Sequence, residues 1–217
     1  MTANAQVSTD IVLFTVQADS MKVLLVRRAA KPFKGVWALP GGFVRHNEDL
    51  AECARRELEE ETGVAGFYLE QLQTFGAPER DPRGRVITVA YYALIPSGDL
   101  VIQADSDADA AAWFPVGDLP ELAFDHAEIV ASAVKRLRAK LGYSTIAFQM
   151  LDEQFTLSAV QRIYEAITGT PVDKRNFRKL ILGFGELEET GELSRDGAHR
   201  PAKLYRLIEP DKVTIIK

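Results

Sequence analysis

The chain has 217 residues, 47% of them apolar, with 26 Lys and Arg against 31 Asp and Glu for a net charge of −5. That length suits one large domain or two small ones, and the single cysteine, Cys53, excludes an internal disulfide framework and a cysteine-rich zinc site. No signal peptide and no apolar run of membrane-spanning length is evident, so a cytoplasmic protein with no membrane partner is expected.

Residues 11–16 and 22–26 are β-branched and aliphatic and flank Asp19-Ser20, which predicts a hairpin. Residues 37–42, with a proline and a glycine pair, read as a loop. Asn47 is the expected N-cap of a helix over residues 49–62, with Gly63 just past its end. Residues 67–75, 85–96 and 111–116 read as strands. Residues 125–141 have helical periodicity and gather Lys135, Arg136, Arg138 and Lys140 late, which suits the negative end of a helix dipole.

Composition shifts near Gly142-Tyr143-Ser144, giving domains over residues 1–143 and 144–217. Beyond the shift, residues 145–151, 157–168 and 173–183 read as helices. Thr156 or Ser158 is the expected cap of the second and Asp173 of the third, with a turn at Thr170-Pro171-Val172. Residues 187–193 and 203–208 read as strands around a loop over residues 194–201. Helix, helix, turn, helix, β-ribbon is the order of a winged helix-turn-helix. The whole chain is therefore expected to be α+β. Residues 1–144 carry 15 Lys and Arg against 20 Asp and Glu, while residues 145–217 carry 11 of each, blocked as basic, acidic and basic again.

The densest chemistry starts at Gly42. Five residues separate it from Glu48, and seven more lead to Arg56-Glu57-Leu58-Glu59-Glu60-Glu61-Thr62-Gly63-Val64. On a helix, Glu57, Glu60 and Glu61 fall within an arc of about 100°. Three carboxylates so close repel unless a divalent cation compensates them, and a hard cation such as Mg²⁺ prefers oxygen ligands. A metal held there can grip a diphosphate. Leu50, Ala51, Ala54 and Leu58 form an apolar stripe, Arg56 can pair with Glu60 or Glu52, and Gly41 and Gly42 permit close backbone approach. This spacing resembles the Nudix box. The resemblance implies an α/β/α sandwich, with Glu57, Glu60 and Glu61 binding Mg²⁺ or Mn²⁺ and acting with Arg56 as the catalytic set if the chain is an enzyme. Glu57 or Glu60 would assist the water, and Glu48 would support the loop.

Arg80, Arg83 and Arg85 lie in a turn-rich loop and suit bidentate phosphate binding, beside Gly41 and Gly42 as ligand-binding positions. Trp113 and Phe114 read as packing residues, His126 as a structural histidine and Cys53 as an inert thiol. In residues 173–183, Phe177, Leu180 and Ile181 are expected to face inward. Lys174, Arg175, Asn176, Arg178 and Lys179 then form the outer face of a recognition helix, with Arg200 and Lys203 contacting DNA from the ribbon.

The box, the loop Arg80-Asp81-Pro82-Arg83-Gly84-Arg85, the segments Trp113-Phe114-Pro115 and Phe124-Asp125-His126, and the basic tail together resemble the Nudix-related transcriptional regulators of NAD metabolism, the NrtR family. The resemblance implies a homodimeric, ligand-responsive repressor that binds operator DNA and is relieved by an ADP-ribose-like nucleotide. The alternative is a Mg²⁺-dependent hydrolase, an ADP-ribose pyrophosphatase, alone or combined with regulation. A third reading makes the tail a dimerisation module.

Overall fold

The computed structural model describes residues 4–97, 108–194, 201–210 and 212–216. It separates into two units: Met1–Phe14, Lys22–Leu94 and Asp99–Arg136, then Thr15–Met21, Ile95–Gly98 and Leu137–Lys217.

The first unit is built on a mixed sheet. Its long strands are β1 (Gln6–Gln17), β2 (Ser20–Arg28), β5 (Tyr68–Phe75), β6 (Val86–Leu94) and β7 (Ala108–Pro115). Strands β1 and β6 run parallel from Gln6 opposite Val86 to Phe14 opposite Leu94. Both are buried over most of their length, and β6 and residues 11–14 of β1 are accordingly apolar runs rather than alternating ones, while Ser8, Thr9, Asp10 and Thr15 of β1 are buried polar residues. The expected hairpin turns at Ala18-Asp19, both with positive φ.

Residues 37–42 are not simply a loop. Trp37–Ala38 (β3) pairs with β2, and Gly41–Phe43 (β4) pairs antiparallel with Ser8, Thr9 and Asp10 of β1. Strands of two and three residues are too short to show a period in sequence.

Helix α1 (Leu50–Thr62) starts at Asp49, not at Asn47. The Asp49 carboxylate accepts from the Ala51 N–H at 2.9 Å, and Glu52 accepts from the Asp49 N–H at 3.0 Å, closing a reciprocal capping box. Asn47 has Leu50 three residues on and cannot close one. Gly63 ends the helix with φ 71°. Cys53, Ala54, Leu58 and Thr62 are the buried face, while Leu50 and Ala51 are only half-buried. Helix α2 (His126–Leu141) follows β7.

The second unit holds a 3-10 turn (Ile146–Met150), α3 (Leu157–Thr168), α4 (Lys174–Gly183), and the antiparallel ribbon β8 (Leu187–Ser194) and β9 (Ala202–Leu207). Thr156 caps α3 by accepting from the Ala159 N–H, and Asp173 caps α4 by accepting from the Asn176 N–H. Glu165 of α3 accepts from the Val172 N–H at 2.9 Å and so fixes the turn between the two helices. Phe155 exchanges two backbone bonds with Tyr205, adding a bridge beside β9. The core gathers Ile146, Met150, Val160, Ile167 and Ile181, with Tyr164 and Phe177 edge to face at 5.0 Å. Leu180 corrects its expectation: it is 54% exposed, and α4 buries only Phe177 and Ile181. These two are one turn apart, and Leu180 lies about 100° round the helix from Ile181.

Candidate functional site

Each unit carries one candidate site. In the first, a pocket of about 350 Å³ is bounded by β1, the end of β2, β4, α1 and the segments around Arg80 and Phe124. Its floor depends on two glycines. Gly41 has φ 153°, and a Cβ there would lie 2.1 Å from the Thr9 carbonyl oxygen. A Cβ on Gly42 would lie 2.3 Å from the Glu57 carboxylate. The glycine pair thus lets β4 lie on β1 while Glu57 rests on the backbone.

Arg56 organises the carboxylates of α1. Its Nε and Nη2 donate to Glu48 at 2.5 and 2.9 Å, and its Nη1 donates to Glu57 at 2.6 Å and Glu60 at 3.0 Å. It does not pair with Glu52, which is committed to the helix cap. Glu48 supports the loop: the Arg56 guanidinium, and then the Arg45 N–H, hold its carboxyl down at about 2. Glu61 accepts from the Gly41 N–H at 3.0 Å. Glu60 is half-exposed and also meets Arg45 at 3.4 Å. Glu57 and Glu61 line the pocket, and Glu60 does not. Among the described residues no three acidic, histidine or cysteine side chains are placed to hold a metal ion. In this arrangement Glu57 and Glu60 meet Arg56, Glu60 also meets Arg45, and Glu61 meets a backbone amide.

The three loop arginines have separate fates. Arg80 is buried, with Nε and Nη2 donating to Asp125 at 2.8 and 2.6 Å and Nη2 to Asp10 at 3.3 Å. Burial opposes its charge, but Asp125 and Asp10 outweigh it and raise its pKa. Arg83 is bidentate to the buried Asp81, at 3.0 and 2.6 Å, and its guanidinium lies 5.2 Å from the Phe43 ring centroid and 5.4 Å from that of Phe124. Arg85 donates to the Gly76 carbonyl at 2.6 Å and is not among the pocket residues.

His126 is buried, and its Nδ1 accepts from the Leu39 N–H at 2.8 Å. The ring proton is therefore on Nε2, 3.6 Å from Asp10. Burial pushes its pKa down. Phe114 packs edge to face on Trp37 at 4.8 Å, and the Cys53 thiol is buried against the Thr9 hydroxyl at 3.3 Å. Asp10 and Arg28 belong to the pocket without having been singled out, while Asp81 and Phe124 entered only as members of longer segments. A carboxylate directly before the apolar run of residues 11–14 was the available signal for Asp10.

In the second unit, Lys174, Arg175, Asn176, Arg178 and Lys179 are all exposed on α4. Among the described residues none of these four cations has an ion-pair partner. The ribbon differs: Lys203 meets Glu189 at 2.8 Å and Arg206 meets Glu188 at 2.8 Å. Arg200 lies outside the described residues. No described helix is long and apolar enough to cross a membrane.

Residues 5–136 match the NUDIX domain, and residues 147–207 match the NrtR DNA-binding winged helix domain. The chain is 36% identical over 208 residues to the ADPR responsive transcriptional repressor NtrR of Acinetobacter baylyi, covering 94% of this chain and 82% of that one. It superposes on Shewanella oneidensis NrtR complexed with a 27mer DNA with a TM-score of 0.83 at 38% identity, over 94% of each chain. The NUDIX domain of the same Shewanella protein complexed with ADP ribose aligns with a TM-score of 0.58 at 39% identity, over 63% of this chain and 90% of that one. An ADP-ribose pyrophosphatase of Methanocaldococcus jannaschii is 43% identical over 109 residues, half of this chain and 63% of its own length.

Proposed function

The chain belongs to the NrtR family, in which a NUDIX domain precedes an NrtR DNA-binding winged helix, and we propose from that footing that it is an ADP-ribose-responsive transcriptional repressor of NAD-related genes. The observation that carries this reading is the exposed face of α4. Four cations stand there without counter-charges among the described residues, on a helix that follows a tight turn. That is what insertion into a major groove requires: cations for phosphates, with the exposed Asn176 as the proposed reader of base edges. Two chains, paired as a homodimer, would present two such helices to a palindromic operator in the cytoplasm. The pocket supplies the regulatory input. A nucleotide bound there lowers DNA affinity only if it prefers the state that binds DNA poorly.

The test is a mobility shift with the protein's own upstream DNA, titrated with ADP-ribose. A specific shift reversed by ADP-ribose is expected. Equal affinity for promoter and random duplex, with and without nucleotide, removes the reading. The charge-reversed Arg175→Glu/Arg178→Glu variant should lose the shift while remaining a dimer by light scattering. Loss of the dimer instead would favour a dimerisation role for the tail.

Similarity to the Methanocaldococcus pyrophosphatase favours hydrolysis as a second activity. It would need Glu57, Glu60 and Glu61 to leave their present partners for one Mg²⁺ or Mn²⁺, whose contribution would be to polarise the diphosphate. AMP release from ADP-ribose at high protein concentration, abolished by EDTA and by Glu57→Gln, checks it.

A further inference from the structure

The exposed side of α4 is not wholly cationic. Leu180 is 54% exposed and Leu182 49% exposed, on the helix that buries Phe177 and Ile181. Exposure does not separate the two leucines, but helix geometry does. At about 100° per residue, Arg175, Lys179 and Leu182 fall within an arc of about 60°, on the side away from Phe177 and Ile181. Leu180 lies about 100° round from Lys179 and about 160° from Leu182. Leu182 therefore continues the outermost cationic stripe, with Arg178 and Lys179 as its neighbours one turn back, while Leu180 stands on the flank. An apolar side chain among these cations gains nothing from water and cannot pair with a phosphate. The stripe thus fits a surface that is polyanionic and also carries apolar points. The major groove of B-DNA is such a surface: phosphates form its rim, and the C5-methyl group of thymine projects into it. The minor groove presents no methyl group.

We propose that Leu182 is a specificity-determining residue of the DNA-binding unit, packing against the C5-methyl group of a thymine in the operator's major groove while Arg178 and Lys179 hold neighbouring phosphates. The inference rests on the reading of α4 as the recognition helix. Leu182 does what the cations cannot. Phosphates are the same in every sequence, whereas the methyl group marks thymine, so covering it discriminates between bases. A cytosine in its place offers an amino donor, which the leucine would remove from water without a partner.

Binding of the full chain to the footprinted segment of its own upstream DNA, with deoxyuridine replacing one thymidine at a time, tests it, because each replacement removes a methyl group and nothing else. At one thymine per half-site the wild-type protein should bind about 4-fold more weakly, the value of one buried methyl-sized group. Leu182→Ala should bind the unsubstituted duplex more weakly and be indifferent to that replacement. Leu182→Met, which keeps an apolar contact, should still respond, and Leu180→Ala should respond like wild type. The slope of log affinity against log salt should be the same for Leu182→Ala and wild type, since no phosphate contact is lost. Thermal melts report folding; if Leu182→Ala does not fold, Leu182→Gln and the deoxyuridine scan of the wild-type protein carry the test. A scan in which no thymine methyl matters, a Leu182→Ala protein that still senses it, or a Leu180→Ala protein that does not, overturns the assignment while leaving the repressor reading intact. A fall from dimer to monomer by light scattering in Leu182→Ala overturns it as well and assigns the leucine to a second copy of the chain. Equal affinity of the wild-type protein for upstream and random duplex removes the repressor reading and the inference together.

Discussion

Gly41 and Gly42 are neighbours with unequal tolerance for a side chain. An added methyl at Gly41 meets the fixed carbonyl of Thr9, whereas at Gly42 it meets the movable end of Glu57. Gly41→Ala should therefore lower stability by about 2–4 kcal/mol, combining overpacking and backbone strain, and Gly42→Ala by about 1 kcal/mol, as read by urea unfolding. Equal losses would mean that Glu57 is as rigid as the sheet. His126 gives a pH signature. Its folded pKa is depressed by burial, so its contribution to stability is complete above about 6.5, the ordinary value, and is lost as pH falls from there toward the depressed one. His126→Asn should flatten the melting-temperature profile below about pH 6.5; an unchanged profile would assign the acid sensitivity elsewhere. The Nudix spacing was legible because its residues follow one another along one helix. The meeting of Asp10 and Arg28 with Phe124 was not, because it comes about only through β1, β2 and the segment before α2.

Elements with a long pattern or a strong cap were legible: α3 and α4 have the predicted bounds to within a residue, fixed by Thr156, Asp173 and Gly169. Elements defined by pairing alone were not, as β3 and β4 show. Leu180 stayed hidden because an apolar residue at the edge of a narrow buried face looks like part of it. Charge pairing also separates the two elements proposed to face DNA. The cations of α4 lack partners among the described residues, while Lys203 and Arg206 are paired across the ribbon with Glu189 and Glu188. Lys174→Gln or Arg178→Gln should therefore lower the slope of log affinity against log salt by about 1 per lost phosphate contact. Lys203→Gln should change it less, since its charge is already shared. Equal effects would show that the ribbon pairs open on DNA.

For the whole molecule, a repressor relieved by a nucleotide must obey linkage. If ADP-ribose weakens operator binding by some factor, operator DNA weakens ADP-ribose binding by the same factor, with typical couplings of roughly 5- to 150-fold. Calorimetry of ADP-ribose binding with and without saturating operator checks this, and unequal factors would point to nucleotide hydrolysis or to a second nucleotide site. The ribbon has a consequence at this scale as well. Strand β9 is paired on both sides, by β8 and by the Phe155 bridge, but β8 has no described neighbour beyond β9. An open strand edge is a template for another chain. Glu188 and Glu189, paired with Arg206 and Lys203, and Glu192 place charged side chains along β8. A charged edge strand of this kind disfavours edge-to-edge pairing between crowded molecules.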